Sequence, residues 1–550
     1  MLPLTARSPR SGQGDVSAQG RLLIVGMVIS LASAGLGYAA HGDPVQAARA
    51  GQESSLGTAG GGSTATGAAG AGATGGGGGA LTGLPGSVAS VGGRDVPVGG
   101  APRQGAGGTT TSPAGAGPGS PGTGAGAGDA GCGQLTCGPR TASDQGVTAE
   151  AIKLGFLIPN TDQLAQAGFN VGVGGDDPKI INAWVNEINR LKVNGRTVSV
   201  VTQVFSVLDA QDQQAACKTM TQDQKVFAVI TPGGYDSVAQ LCIAKENRTP
   251  LISTDPEPAQ WYKDANPMLW SLFMNKDRIA RNNAQWLATH EYLKPTDKVG
   301  VIYHDIPTIA PTMEQTYLPE LRARGINPVV VKLSSDNAGG LQQLTQAVRT
   351  LSDAGVTFVI PVMNLIYKSQ FQKNADNQLY YPRYDESDVY FGCSDFTTAA
   401  YSQSQFQGTR CLTSTDQDQF YRAADKPTEW TTYADDVYNR STPGGYAAGG
   451  ASQDAANNQK ILNYEIGTEF MLWYHAAVRA GSNLTRQVWG QAMQQTGPVS
   501  QQLGFCSMSF GPGKFDGSDA LSVSEYHYEA SNGYKAKTYH NVKACFANSY

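Results

Sequence analysis

The chain has 550 residues, room for two or three domains, and its 40 basic and 45 acidic residues give a net charge of −5. A balance this mild, with no basic stripe, excludes a protein that tracks nucleic-acid phosphates. Glycine is abundant but unevenly spread: of the 80 positions in 51–130, 29 are Gly, and most of the rest are Ala, Ser, Thr or Pro.

In chain order, Arg7, Arg10 and Arg21 lead into an uncharged run, 22–40, that is apolar in its first half and small in its second. A basic lead before an apolar segment directs a chain out of the cytoplasm. Residues 1–40 therefore read as a signal peptide or, if uncleaved, a signal anchor with its N-terminus on the cytoplasmic side. No Cys follows the run until Cys132, which argues against lipid attachment. Region 41–140 reads as a disordered Gly/Ala-rich linker, because no aromatic residue falls between Tyr38 and Phe156 to offset the entropy of ordering. Such a tract would give an anchored globular part a reach of about 50 Å. The expected location is extracytoplasmic, secreted or tethered to the outer membrane face, with membrane contact only through the N-terminal segment.

From Ala151 onward β-branched runs alternate with amphipathic ones. Strands are predicted at 151–159, 197–205, 226–232 and 249–254, with helices at 178–191, 209–223 and 237–247 between them. After a helix at 277–293 the rhythm restarts: strands at 298–304, 327–333, 356–362 and 388–392, helices at 312–324 and 341–354. A helical block at 457–480 and a tail reading as hairpins follow. Strands separated by helical runs make βαβ units and parallel sheets covered on both faces. The expected fold class is therefore α/β, two doubly wound parallel-sheet lobes of four or five strands joined by a hinge. Lobe one would take 141–276, lobe two 277–415, a helical return to lobe one 416–500, and a C-terminal hinge and lobe-two segment 501–550.

The eight cysteines suit disulfides outside the cytoplasm, with sequential pairing (Cys132 with Cys137, Cys217 with Cys242, Cys393 with Cys411, Cys506 with Cys545) one option among many. No CxxC occurs and no His clusters with Cys, so neither metal nor cofactor is expected.

In open parallel sheets ligands bind beyond the carboxyl ends of the strands. The loop after the third strand offers Thr231, Gly233, Gly234, Tyr235 and Asp236, and the next one Ser253, Thr254 and Asp255. In the second unit Tyr303, Asp305 and Asn364 hold the equivalent positions. Helix capping and turn formation compete for each residue singly, but a Gly-Gly pair at a strand-to-helix switch is costly without a close approach. Replacing Tyr235 and Asp305 by Ala is expected to abolish binding with little change in thermal stability.

IKLGFLIP (152–159), NGRTVSVV (194–201), AACKTMTQDQKVFAVITPGG (215–234), CIAKENRTPLIST (242–254) and DKVGVIYHD (297–305) occur in that order. Together they resemble the type I periplasmic binding proteins, specifically the extracellular solute-binding proteins of branched-chain amino acid ABC transporters, over residues 147–539. The resemblance implies a ligand (an amino acid or related polar solute) gripped between the lobes by the loops above, an ABC transporter permease as partner, and a Cys217–Cys242 bridge between the helices flanking the third strand. Two cleft-bordering stretches differ from the family pattern: 306–311 lacks its Tyr-Gly, and 160–177 is long and Gly-rich.

The expected function is thus capture of a small polar solute for transport, without catalysis. The alternatives are a ligand-sensing module acting on a membrane partner in trans and an exported hydrolase. GxSxG, Walker and HExxH motifs are absent from the globular part, which weighs against the last.

Overall fold

The computed structural model describes residues 139–166, 177–289, 292–335, 337–390, 392–395, 400–420, 427–447, 453–500, 504–530 and 536–547. The leader-like run, the glycine-rich linker, Cys132, Cys137 and most of the long loop after the first strand lie outside the described residues.

The first sheet has five parallel strands in the order β2-β1-β3-β4-β5. They are β1 (Ala151–Pro159), β2 (Thr197–Phe205), β3 (Ala228–Thr231), β4 (Leu251–Ser253) and β5 (Leu269–Ser271). Helix α1 (Asp177–Leu191) puts Ile180, Ile181, Trp184 and Ile188 on one buried stripe. Asp209 caps α2 (Ala210–Lys218), accepting from the N–H groups of Gln211 and Asp212. A short helix at 239–246 packs beside α2, and the Cys217–Cys242 disulfide joins the two, with Cα atoms 6.3 Å apart.

Helix α3 (Lys276–Thr289) carries the chain into the second lobe. There β6 (Val299–His304), β7 (Val329–Leu333), β8 (Phe358–Val362), β9 (Arg383–Ser387) and β10 (Arg410–Thr413) form a parallel array, flanked by α4 (Asn337–Asp353) and α5 (Leu365–Asn377). A C-terminal antiparallel hairpin, β11 (Ala520–His527) and β12 (Thr538–Ala547), extends it to β12-β11-β10-β9-β8-β6-β7. Among the described residues the second sheet therefore has seven strands where four or five were expected, because the hairpin of the tail pairs with β10. The strand expected at 388–392 lies earlier: β9 ends at Ser387, and Asp388–Tyr390 is a single 3-10 turn. Cys393–Cys411 joins the segment after that turn to β10, and Cys506–Cys545 fastens the chain before β11 to β12.

The return to lobe one is α6 (Glu429–Ser441) and α7 (Gln453–Ala480). Trp430, Phe470 and Trp473 join the first sheet's core, as do Phe505, Phe510 and Phe515 further on. Separate apolar clusters cover the second sheet. The crossings between lobes are bonded to one another. Asp516 accepts from the main-chain and side-chain N–H of Asn275 (both 2.9 Å) and from Arg278 (2.5 Å), while the Ser518 hydroxyl donates to the Ser414 carbonyl at 3.2 Å.

Candidate functional site

Two loops at the carboxyl ends of β3 and β4 are clamped together by one side chain. Gly233 and Gly234 take φ of +106° and +76°, and a Cβ at Gly233 would lie 2.6 Å from the Thr254 hydroxyl oxygen. Both left-handed backbone and lack of space demand glycine there. The turn lets the N–H of Gly234 (3.0 Å) and of Tyr235 (2.8 Å) donate to the two carboxylate oxygens of Asp255. The Ser253 hydroxyl donates to the same carboxylate at 3.2 Å and accepts from the Asp255 N–H at 2.9 Å. Thr231, in register with Ser253, is buried with its hydroxyl oxygen unpartnered.

Tyr235 differs from its expected placement. Its ring is in the first core, edge-on to Phe205 at 4.9 Å, and its hydroxyl donates to the Gln213 carbonyl at 2.5 Å. Removing that ring would leave a core cavity, so the expected thermal neutrality of its Ala variant does not hold.

Beside this clamp lies a dense group of charges. Lys276, 1% exposed at the start of α3, places its ammonium 3.0 Å from Asp236 and 3.5 Å from Glu257. Glu257 also accepts from the Gln240 amide at 2.8 Å. Burial, then the Asp236 charge, pushes the Asp255 carboxyl up to about 7, against the hydrogen bonds it accepts and Lys276. Burial holds Glu257 well above the usual carboxylate range too, and although burial opposes the Lys276 charge, Asp236 and Glu257 more than restore it. Glu465 and Glu469 stand four residues apart, hence on one face of α7. Burial and Asp255 push Glu465 up to about 8. Glu469 is fully buried, neither of its carboxylate oxygens has a hydrogen-bond partner, and burial, Glu465 and Asp255 hold it well above the usual range.

The lobe-two residues expected at the site make their bonds within lobe two. The Tyr303 hydroxyl donates to Glu314 at 3.0 Å, and Lys332 bridges Glu314 (2.6 Å) and the half-exposed Asp305 (3.0 Å). Asn364 caps α5, accepting from the N–H groups of Ile366 and Tyr367. The lobe-two group that meets the lobe-one charges is Tyr390, in the turn after β9: the Lys276 ammonium lies 5.7 Å from its ring centroid. Burial and then Asp236, Asp255 and Glu257 push its hydroxyl up. Behind it Lys368 forms a buried ion pair with Glu386 and lies 3.5 Å from the Tyr390 carbonyl.

The structure thus brings Thr231, Gly233, Gly234, Asp236, Ser253, Thr254 and Asp255 into one neighbourhood, with Tyr235 contributing its main chain. Sequence reasoning missed Glu257, Lys276, Tyr390, Glu465 and Glu469, because it searched only the residues immediately after strands. The signal for the last two was present: acids spaced by four within the mostly apolar stretch 461–477. Among the described residues, no group of three or more His, Cys, Asp or Glu side chains is arranged to hold a metal ion.

No family model matches the chain, and no curated protein matches it. Solved structures do. A type 1 periplasmic binding protein from Bordetella pertussis Tohama I aligns with TM-score 0.52 at 13% identity, over 72% of this chain and 100% of that one. A fatty acid ABC transporter substrate-binding protein from Thermomonospora curvata aligns at 0.51 and 16%, over 74% and 95%. A possible leucine/isoleucine/valine-binding protein from Rhodopirellula baltica SH 1 aligns at 0.50 and 14%, over 72% and 96%. The fold is that of the type I periplasmic binding proteins, two α/β lobes.

Proposed function

We propose that the chain is an extracytoplasmic binding protein that captures a small polar solute between its lobes and hands it to an ABC-type transporter. The observation that carries this reading is the meeting of polar strand-end loops from lobe one with Tyr390 of lobe two, beside crossings that are few and bonded to one another. A ligand seated there would touch both lobes only in a closed form and would stabilise that form. Thr231, Asp236, Ser253, Thr254 and Asp255 supply hydroxyl and carboxyl groups on one side, and Tyr390 an aromatic face on the other. Tyr303, Asp305 and Asn364 would contribute by closure, exchanging part of their present bonding for the solute.

The fold is shared with a protein named as an ABC transporter substrate-binding protein, and the three disulfides among the described residues suit an oxidising compartment. The loop carboxyls are suited to holding rather than transforming: Asp255 is bound by two main-chain N–H groups and a hydroxyl, and Asp236 by the Lys276 ammonium. Small-angle scattering of the full chain with and without solutes from a thermal-shift screen tests the reading. A solute that raises the unfolding temperature should also reduce the radius of gyration. Stabilising solutes that leave the radius unchanged would remove closure from the account.

A further inference from the structure

The ammonium of the site, Lys276, stands on the first turn of α3, and the body of that helix belongs to lobe two. Ile279, Ala280, Ala284 and Leu287 are part of the second lobe's core. Asn283 donates to Asp385 of β9 at 3.0 Å and accepts from the Tyr317 hydroxyl. The residue after Lys276, Asp277, is buried and reaches both ways. Its carboxylate accepts at 2.7 Å from the N–H of Ala259, in the lobe-one segment between β4 and β5. It also accepts from the hydroxyls of Thr312, at 3.4 Å, and of Thr316, both on the lobe-two helix at 310–323. Thr316 lies in the stretch Met313–Tyr317, which is wound as a π-helix, a winding concentrated at functional positions. Ala259 is the first residue of the short helix Ala259–Ala265, and Pro258 before it offers no side-chain acceptor. One of the N–H groups left over at that helix start is thus satisfied across the lobe boundary. Beside it the Lys276 N–H donates to the Glu257 carbonyl at 3.1 Å. Both bonds act on the loop after β4, which brings Asp255 and Glu257 to the site. A buried carboxylate between two bodies holds them only while both sets of donors stay in place, because parting them strands the charge or the donors.

We propose that Asp277 is a latch. By bonding Ala259 of lobe one and Thr312 and Thr316 of lobe two at once, it holds the lobes together in the absence of solute and sets the gap between Asp236 and Tyr390. The inference rests on the closing motion proposed above and adds to it a residue that touches no solute. Without the latch the lobes part on the same crossings, and Tyr390, across Lys276 from Asp236, becomes exposed.

The test is hydroxyl-radical footprinting of the full chain without solute, read by mass spectrometry as the oxidation rate of single tyrosines. Ala259→Pro removes the lobe-one donor at the first position of a helix, which suits proline. Thr312→Val/Thr316→Val removes the lobe-two donors and keeps the side-chain shape. Each variant should oxidise Tyr390 about threefold faster or more, since each loses hydrogen bonds to a charged group. Tyr235 in the first core and Tyr526 in the second report the packing of each lobe and should oxidise as in the parent. An unchanged Tyr390 rate in both variants would overturn the latch. So would a rise confined to one of two folded variants, or a rise shared by Tyr235 and Tyr526, which would mean loosened packing. If one variant fails to fold, the other decides alone. No solute enters the experiment, so a failed latch leaves solute capture standing, and a failed solute screen leaves the latch standing.

Discussion

Asp255 illustrates how one residue can be both capping group and site element. Its two oxygens take three donors, the N–H groups of Gly234 and Tyr235 and the Ser253 hydroxyl, so the Gly-Gly turn has its shape because this carboxyl lies beneath it. An amide in its place offers one acceptor and turns a donor toward a buried N–H. Asp255→Asn is therefore expected to lower the free energy of unfolding by about 1–3 kcal/mol, the cost of one unsatisfied buried donor. Equilibrium urea titration measures it, and a midpoint equal to that of the parent would show that the turn does not depend on the clamp. The same packing explains Tyr235. A tyrosine following Gly-Gly reads as a ligand contact, but the left-handed turn sends its ring back under β2, where Phe205 and the Gln213 carbonyl receive it.

At the level of elements, the strands legible in the sequence are those whose apolar residues exceed their polar ones. β1, β3, β6 and β8 were found within two residues of their ends, because a parallel strand covered on both faces must be a β-branched run. β9 was expected one strand-length too late, at 388–392, because Asp385 and Glu386 stand at its centre, and charged residues look like loop. They are buried all the same: Asn283 from α3 donates to Asp385 at 3.0 Å and Lys368 from α5 pairs with Glu386. Those partners lie about 100 and 18 residues away, beyond any local pattern. β5 and β10 were missed because Leu269-Trp270-Ser271 and Arg410-Cys411-Leu412-Thr413 contain no Val or Ile to mark them as strands. The candidate site divided in the same way, its strand-end loops legible and its helical acids hidden in an apolar context. Lys368 provides the test of this buried pair. At pH 8, Lys368→Met should destabilise the protein by about 3–5 kcal/mol, since it strands the Glu386 charge in the interior. Adding Glu386→Gln should recover much of that loss. Equal urea midpoints for the single variant and the parent would mean that the pair contributes nothing to lobe two.

For the whole molecule, the buried carboxyls on both sides of the hinge make stability depend on pH in the direction opposite to the common one. Burial raises Asp255 to about 7, Glu465 to about 8, Glu386 to about 7 and Asp388 to about 6, each from an ordinary value near 4. Asp236, Lys276 and the N–H groups of Gly234 and Tyr235 face Asp255; Asp255 and Glu469 face Glu465; Lys368 faces the other two. Each group binds a proton in the folded chain between pH 4 and its folded value but not in the unfolded chain. Its contribution is therefore fully present at about pH 4 and lost as pH rises through 6 to 8. Glu187, Asp264, Glu314 and Asp376 are shifted down by the donors around them, and their contribution is lost only as pH falls below about 4.5. Between pH 5 and 8 the raised set decides, so the unliganded protein should unfold at progressively lower temperature across that interval. Glu465→Gln should flatten the profile by up to about 1.4 kcal/mol per pH unit, one proton's worth. A flat profile from the parent protein would mean that these carboxyls are not held neutral by folding. Scanning calorimetry of the parent and the Glu465→Gln variant side by side across pH 5 to 8 separates the Glu465 proton from the rest of the raised set, because the variant should lose less of its unfolding temperature over the interval than the parent does.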